Sequence, residues 1–261
     1  MKKSELKNKY EELFSYKDRE LSFDELIRNW QQYPDRALTS YSAYEGPKYK
    51  HSNARLMVVG RAMNGWESDF SSCHSTAELA ESVVTQKFDF DEIINGSIIV
   101  SDQDGRKRGY SYMKSNFWKL IKHVTSYLSD DPSTWNEQVV WTNLYKISPR
   151  FSGNPDWKLI KPTMQTHIDI LQKEINLYTP KHILFITGMD YFHPWKRQPS
   201  FAKHFGIAHI SQDIQLPAPI VAKGVYNDAK IIVCNRPDKW GTSNADVERM
   251  AETIGNEFNR I

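Results

Sequence analysis

The chain has 261 residues, with 34 Lys and Arg against 32 Asp and Glu, a formal net charge of +2, and 39% hydrophobic residues. That balance suits one large domain with a full core and excludes bulk cationic attraction to nucleic acid, so any polyanion contact must rest on a local patch. Two cysteines, Cys73 and Cys234, are too few for a disulfide scaffold or an iron–sulfur cluster. No run approaches eighteen apolar residues and MKKSELKNKYEEL is charged rather than signal-like, so a cytoplasmic protein without a membrane partner is expected.

The first forty or so residues read as a helical extension. Ser22 and Glu25 have capping-box spacing, Phe23, Leu26, Ile27 and Trp30 follow on one helical face, and Pro34 ends the pattern. Residues 41–54 form a loop that leads into RLMVVG (55–60), a buried strand that opens into RAMNGW. Ser75 and Glu78 cap a helix over about 76–87. Residues 95–109 hold a short apolar run and a Gly-flanked basic turn, an exposed excursion carrying Arg106, Lys107 and Arg108. A helix follows with Phe117, Leu120, Ile121, Val124 and Leu128 on one face, then the strand run QVVWTNLYKI (138–147), which opens into SPRFSGNP. Met164, Ile168, Leu171, Ile175 and Tyr178 mark another helix, stopped by Pro180. HILFITG (182–188) is a third strand and KIIVCNRP (230–237) a fourth, the latter preceded by a hairpin around Asn227-Asp228. Val247, Met250, Ala251, Ile254 and Phe258 mark the last helix.

Strands alternating with helices predict a three-layer α/β/α domain over 1–261, with a central parallel four-stranded sheet and an N-terminal helical extension over 1–45. Ligands on such a sheet bind beyond the carboxyl ends of the strands, which is where all four polar loops fall. In the first loop Gly60 lets the chain turn and a ligand approach, Arg61 can grip a phosphate or carboxylate, Asn64 can bond a base edge or hold a water, and Trp66 offers a flat face. A strand end also needs Gly and Asn merely to turn. The second loop contributes Asn143, Lys146 and Arg150. An Asn inside an apolar strand must satisfy its amide against backbone or ligand, because an unpaired buried polar group costs roughly 1–3 kcal/mol. The third offers Asp190, His193 and Trp195. In the fourth, Arg236 supplies a fixed cation and Asp238 a possible base, unless the two simply pair.

P-loop, G-x-G-x-x-G, G-x-S-x-G and H-E-x-x-H patterns are absent. Eight histidines lack ligand spacing, with His204 and His209 five apart, so neither a metal nor a cofactor is expected. His123 and His167 fall on helices as surface or packing residues.

Taken together, GRAMNG (60–65), TNLYKISPRFSGNP (142–155), HILFITG (182–188) and NRPDKWG (235–241) resemble the uracil-DNA glycosylase-like superfamily over about 55–260. There the first strand ends in a Gly-started motif (GQDPY, GINPG or GEAPG), the second in an Asn-containing segment with a Pro-rich loop, the third in Gly and the fourth in an HPS-type loop. The resemblance implies DNA binding, base excision and a glycosylase-like hydrolase. A base would be flipped into the pocket, stacked on Trp66 or Phe70, read by Asn143 and released as an anion beside Arg236. Two departures stand out. The family's water-activating position falls on Arg61 or Ala62, with Asn64 two or three places later and Glu67 and Asp69 the nearest carboxylates. Its leaving-group His is matched by Arg236, so base release is expected to be weak or absent. The alternative readings are a hydrolase or binder of a small nucleoside- or sugar-like ligand in the same cleft, favoured by the near-neutral charge, and a silent binding module. Arg106, Lys107 and Arg108 would be the phosphate contacts of a nucleic-acid binder, although a solvated loop is the commoner meaning of such a run.

Overall fold

A computed structural model describes residues 3–15, 17–18, 21–22, 38–62, 75–86, 99–101, 107–109, 114–149, 154–155, 157–194, 199–207, 216–237 and 242–261. The main sheet contains β1 (Tyr44–Glu45), β2 (Leu56–Gly60), β3 (Val139–Asn143), β4 (His182–Ile186), β5 (Ile220–Tyr226) and β6 (Ala229–Cys234), in the spatial order β5-β6-β4-β2-β3-β1. The four strands read from the sequence, β2, β3, β4 and β6, are mutually parallel. The sheet has six strands rather than four, because an antiparallel strand closes each edge. β5 forms a hairpin with β6, and β1 pairs with Trp141 and Val140 of β3. The β5–β6 turn places both Asn227 (φ 48°) and Asp228 (φ 64°) in the left-handed region, which the tightest hairpin turns require and which Asn and Asp tolerate.

The helices are α1 (Lys3–Phe14), α2 (Thr76–Thr85), α3 (Asn116–Leu128), α4 (Trp157–Tyr178), α5 (Met189–Phe192), α6 (Phe201–His204) and α7 (Asn244–Arg260). They account for strands that are apolar on both faces. Leu56, Val58, Val139, Trp141, Leu184, Ile186 and Ile232 pack with Leu120, Ile121 and Val124 of α3 and Ala251, Ile254 and Phe258 of α7. The alternate residues Met57, Val59, Val140, Ile183, Phe185, Ile231 and Val233 pack with Met164, Ile168, Leu171 and Ile175 of α4 and with Phe192 and Phe201. A further layer lies outside α4, where Leu6, Tyr10, Leu13 and Phe14 of α1 meet Leu79, Ala80, Val83 and Val84 of α2, together with Ile147 and Ile170.

Ser75 Oγ accepts from Glu78 N at 3.2 Å and starts α2 as its spacing predicts. The N-terminal extension is not helical throughout. Lys17–Asp18 pairs with Leu21–Ser22, Leu38–Thr39 pairs with Ser148–Pro149, and β1 joins the main sheet. These ladders are two residues long, too short to carry a period. The helix expected over 23–30 lies outside the described residues. α4 begins well before Met164 and carries Pro162 inside it. No helix among the described residues is long and apolar enough to cross a membrane.

One polar cluster ties these layers together. Lys146 Nζ donates to Glu174 Oε2 at 2.6 Å and to Thr142 Oγ1 at 2.7 Å, with both charged side chains fully enclosed. Thr142 Oγ1 and the Ala43 amide also donate to Glu174. Burial pulls the Lys146 ammonium below its ordinary value, while Glu174 draws it back up. The Lys146 amide donates to His167 Nδ1 at 3.2 Å, and His167 Nε2 meets Thr163 Oγ1 at 3.1 Å. Burial, with Lys146 nearby, pushes His167 down to about 3, so the ring is neutral and accepts at Nδ1.

Lys146→Met should lower the unfolding free energy by about 3–5 kcal/mol, because Glu174 is left as an uncompensated buried charge. Lys146→Met combined with Glu174→Leu should recover most of that loss in urea titrations. Additive losses would show that the two charges are not coupled.

His167 adds a pH dependence whose sign is fixed by its depressed folded-state pKa. As pH falls below about 6.5 the unfolded chain takes up a proton that the folded chain refuses until about 3. Its contribution is therefore present in full above about pH 6.5 and is lost toward pH 3, by at most roughly 1.4 kcal/mol per pH unit. His167→Asn keeps an acceptor near Nδ1, and urea midpoints measured from pH 7 to 4 should fall less steeply than those of the parent.

Candidate functional site at the strand carboxyl ends

The chain runs from β2 to β3 on one side and then crosses to β4 on the other side of β2. The order therefore reverses between β2 and β4, where an open α/β sheet leaves a crevice beyond its strand ends. Gly60 ends β2 opposite Asn143 of β3, and the pairing continues past the strands, with the Leu144 amide donating to Gly60 O and the Tyr145 amide to Arg61 O. A Cβ on Gly60 would lie 2.5 Å from Asn143 Oδ1 and 3.5 Å from Phe117 Cζ of α3. Glycine at this position makes room for the Asn143 amide to stand over the strand end.

Arg61 turns across the crevice. Its Nε donates to Thr187 O at 2.8 Å, and its guanidinium lies 4.1 Å from the centre of the Tyr191 ring on α5. Tyr191 in turn stacks with Trp157 at 5.9 Å, accepts from Asn154 Nδ2 at its hydroxyl, and accepts from Tyr145 Oη at its carbonyl. The cation is thus held by a backbone acceptor and an aromatic face. Gly188 follows β4 with φ 71°, and a Cβ there would meet Asn235 Oδ1 at 3.3 Å and Arg61 Nη2 at 3.7 Å. On the far side Arg236 lies 6.0 Å from the Phe117 ring centre, and Pro237 O accepts from Asn116 Nδ2 at the start of α3. Gly60, Arg61, Asn143, Gly188 and Arg236 therefore share one edge of the sheet, with Phe117 beside it. Two guanidinium groups, an amide and an aromatic ring suit an anionic or nucleobase-like group.

The remaining candidates are placed differently. Lys146 follows β3, but its side chain is enclosed with Glu174 beneath α4, away from any open surface. Asp190 is exposed on the first turn of α5, one residue from Tyr191. Asn64, Trp66 and Asp238 lie outside the described residues, as does Arg106. Lys107–Gly109 pairs antiparallel with Ile99–Ser101, so Lys107 and Arg108 lie in a two-stranded ladder rather than in a plain turn.

Sequence reasoning passed over Tyr191, Phe117 and Trp157. Tyr191 was visible in MDYFHPW, and its signal was an aromatic one turn after a strand-ending glycine. Phe117 read only as a core residue of α3. Trp157 carried no signal, because its contact depends on where Pro155 and α4 redirect the chain.

Gly60→Ala should destabilise the protein by roughly 1–3 kcal/mol through overpacking against Asn143. If that contact is the cause, Gly60→Ala combined with Asn143→Ala should lose less than the sum of the single variants in denaturant titrations. Strict additivity would place the strain elsewhere.

Compared with known proteins, the sequence matches no family model and no curated protein.

Proposed function

We propose that the chain binds nucleic acid or a nucleobase at the ends of β2, β3, β4 and β6, as a divergent relative of the uracil-DNA glycosylase-like proteins with weak or absent base release. The observation that carries this reading is the Asn143 amide at the end of a buried strand, beside a glycine that makes room for it and an aromatic ring, Phe117. An amide offers both donor and acceptor, as the edge of a base requires. Arg61, held on Tyr191, would receive a phosphate or carboxylate, and Arg236 would stabilise the anion of a departing base. Arg236 would act on a leaving base by its charge, so the base would depart as the anion. The near-neutral net charge favours the second reading, a small nucleoside- or sugar-like ligand in the same crevice.

The test is binding and turnover of uracil-containing oligonucleotides across a range of salt. Binding should weaken as salt rises, because phosphate contacts release counterions. Replacing Arg106, Lys107 and Arg108 together with Ala should lower that salt slope by about one for each phosphate no longer neutralised. Uracil release should be near background, and any residue of activity should fall by about 100-fold or more in Arg236→Ala. Salt-independent binding of free uridine at similar affinity would favour the small-ligand reading. Robust release that survives Arg236→Ala would sink the assignment of this loop.

A further inference from the structure

Beyond β3, the short strand β1 reaches only Val140 and Trp141, and the sheet edge above them opens onto a cavity of about 380 Å³. Its walls come from the segment 41–45, the end of α2, residues 141–143 of β3, the end of α4 and Leu6 of α1. It lies across β3 from the crevice between β2 and β4, and the two meet at Asn143. Cavities of this size accept small molecules when an apolar lining carries a few converging polar groups.

The lining has a definite chemical sense. Four aromatic residues contribute to it, Tyr41, Tyr44, Trp141 and Tyr178, and no Lys, Arg or His is found among its described lining residues. Burial pushes the Tyr41 phenol up to about 12, and burial with Glu174 and Glu45 nearby raises Tyr178 as well, so both rings stay neutral. Among its polar groups, Glu45 and Gln86 offer acceptors. Glu45 brings a carboxylate, whose neighbour Lys50 is largely exposed at 3.6 Å and is a weak, screened competitor. Gln86 donates through Nε2 to Tyr41 Oη at 2.9 Å, which leaves its buried Oε1 without a hydrogen-bond partner among the described residues. A buried acceptor left unpaired is costly, and a donor from a ligand removes that cost. Electron-rich rings attract cations, and a carboxylate adds to the same preference.

We propose that this cavity is a binding site for an organic ammonium ion, a primary or secondary amine whose N–H groups face Gln86 Oε1 and Glu45 while its carbon body lies among the four rings. The cavity shares Asn143 with the strand ends, but neither Arg61 nor Arg236 lines it, and the proposal does not rest on the reading given to the strand ends.

The experiment uses the full chain and three probes of matched shape, phenethylamine, 2-phenylethanol and 3-phenylpropionate, titrated by NMR. Phenethylamine should bind saturably and at least about tenfold more tightly than the alcohol, and the carboxylate should not bind. Glu45→Gln and Gln86→Leu should each weaken the amine by roughly tenfold while the urea midpoint of unfolding stays at the parent's. Arg236→Ala should leave amine binding unchanged, which separates failure at this site from failure at the strand ends. Equal affinity for amine and alcohol would overturn the proposal, as would absence of amine binding at millimolar concentration. An amine preference untouched by both substitutions would place the ligand elsewhere and overturn it too. Should Gln86→Leu unfold the chain, Glu45→Gln alone decides, since the Glu45 side chain is partly exposed.

Discussion

Glu174 is a carboxylate buried toward the carboxyl end of α4, and four residues from elsewhere in the chain converge on it. It accepts from Lys146 beyond β3, from Thr142 within β3 and from the Ala43 amide just before β1, while burial, with Glu174 close by, raises the phenol of Tyr10 on α1. Removing two charges from water costs several kcal/mol per ion, so such a pair is retained only where its remaining donors and acceptors are met. Here they are met by groups from the sheet, its edge segment and the helix that covers it. The arrangement fixes the position of residues 41–45 relative to β3 and α4. That position in turn decides both how far β1 can pair and the shape of the cavity beside it.

The same helix shows why much of the core was legible and one part was not. Met164, Ile168, Leu171 and Ile175 carry the apolar period that faces the sheet, and sequence reading found them. Thr163, His167, Ile170 and Glu174 form a neighbouring stripe at the same spacing, and all four are buried. A polar stripe reads as a solvated face because most polar residues are solvated. Ile170 is covered by the layer built by α1 and α2, while His167 and Glu174 are met by Lys146, Thr142 and the Ala43 amide, and nothing local in α4 announces either. Lys146 was misread for the related reason that a Lys after a strand end looks available, when its partner lies 28 positions away on another element.

Strands of five or six residues with apolar side chains on both faces admit few arrangements, so the four parallel strands followed from composition and length. The hairpin at Asn227-Asp228 followed from turn chemistry. β1 did not, since two residues cannot express a period of two. At the strand ends Gly60, Asn143, Gly188 and Arg236 were identifiable because each is an exception to its run, a small or polar residue where the apolar pattern stops. Tyr191 and Phe117 were not, because an aromatic residue obeys the core pattern whether it serves a core or lines a crevice.

A net charge near zero hides an uneven local distribution. Arg61 and Arg236 stand over the ends of β2 and β6, with Arg61 held against Tyr191 and Thr187 O rather than left to sample rotamers. Across β3, the described lining of the edge cavity offers Glu45 and Gln86 and no cation. Asn143 sits between the two regions, its side chain against Gly60 on one side and its residue among the cavity walls on the other. The crevice thus presents two guanidinium groups, and the described cavity lining presents a carboxylate and an amide. Bulk composition cannot report that distinction, because it arises from which residues the sheet order sets on either side of a single strand.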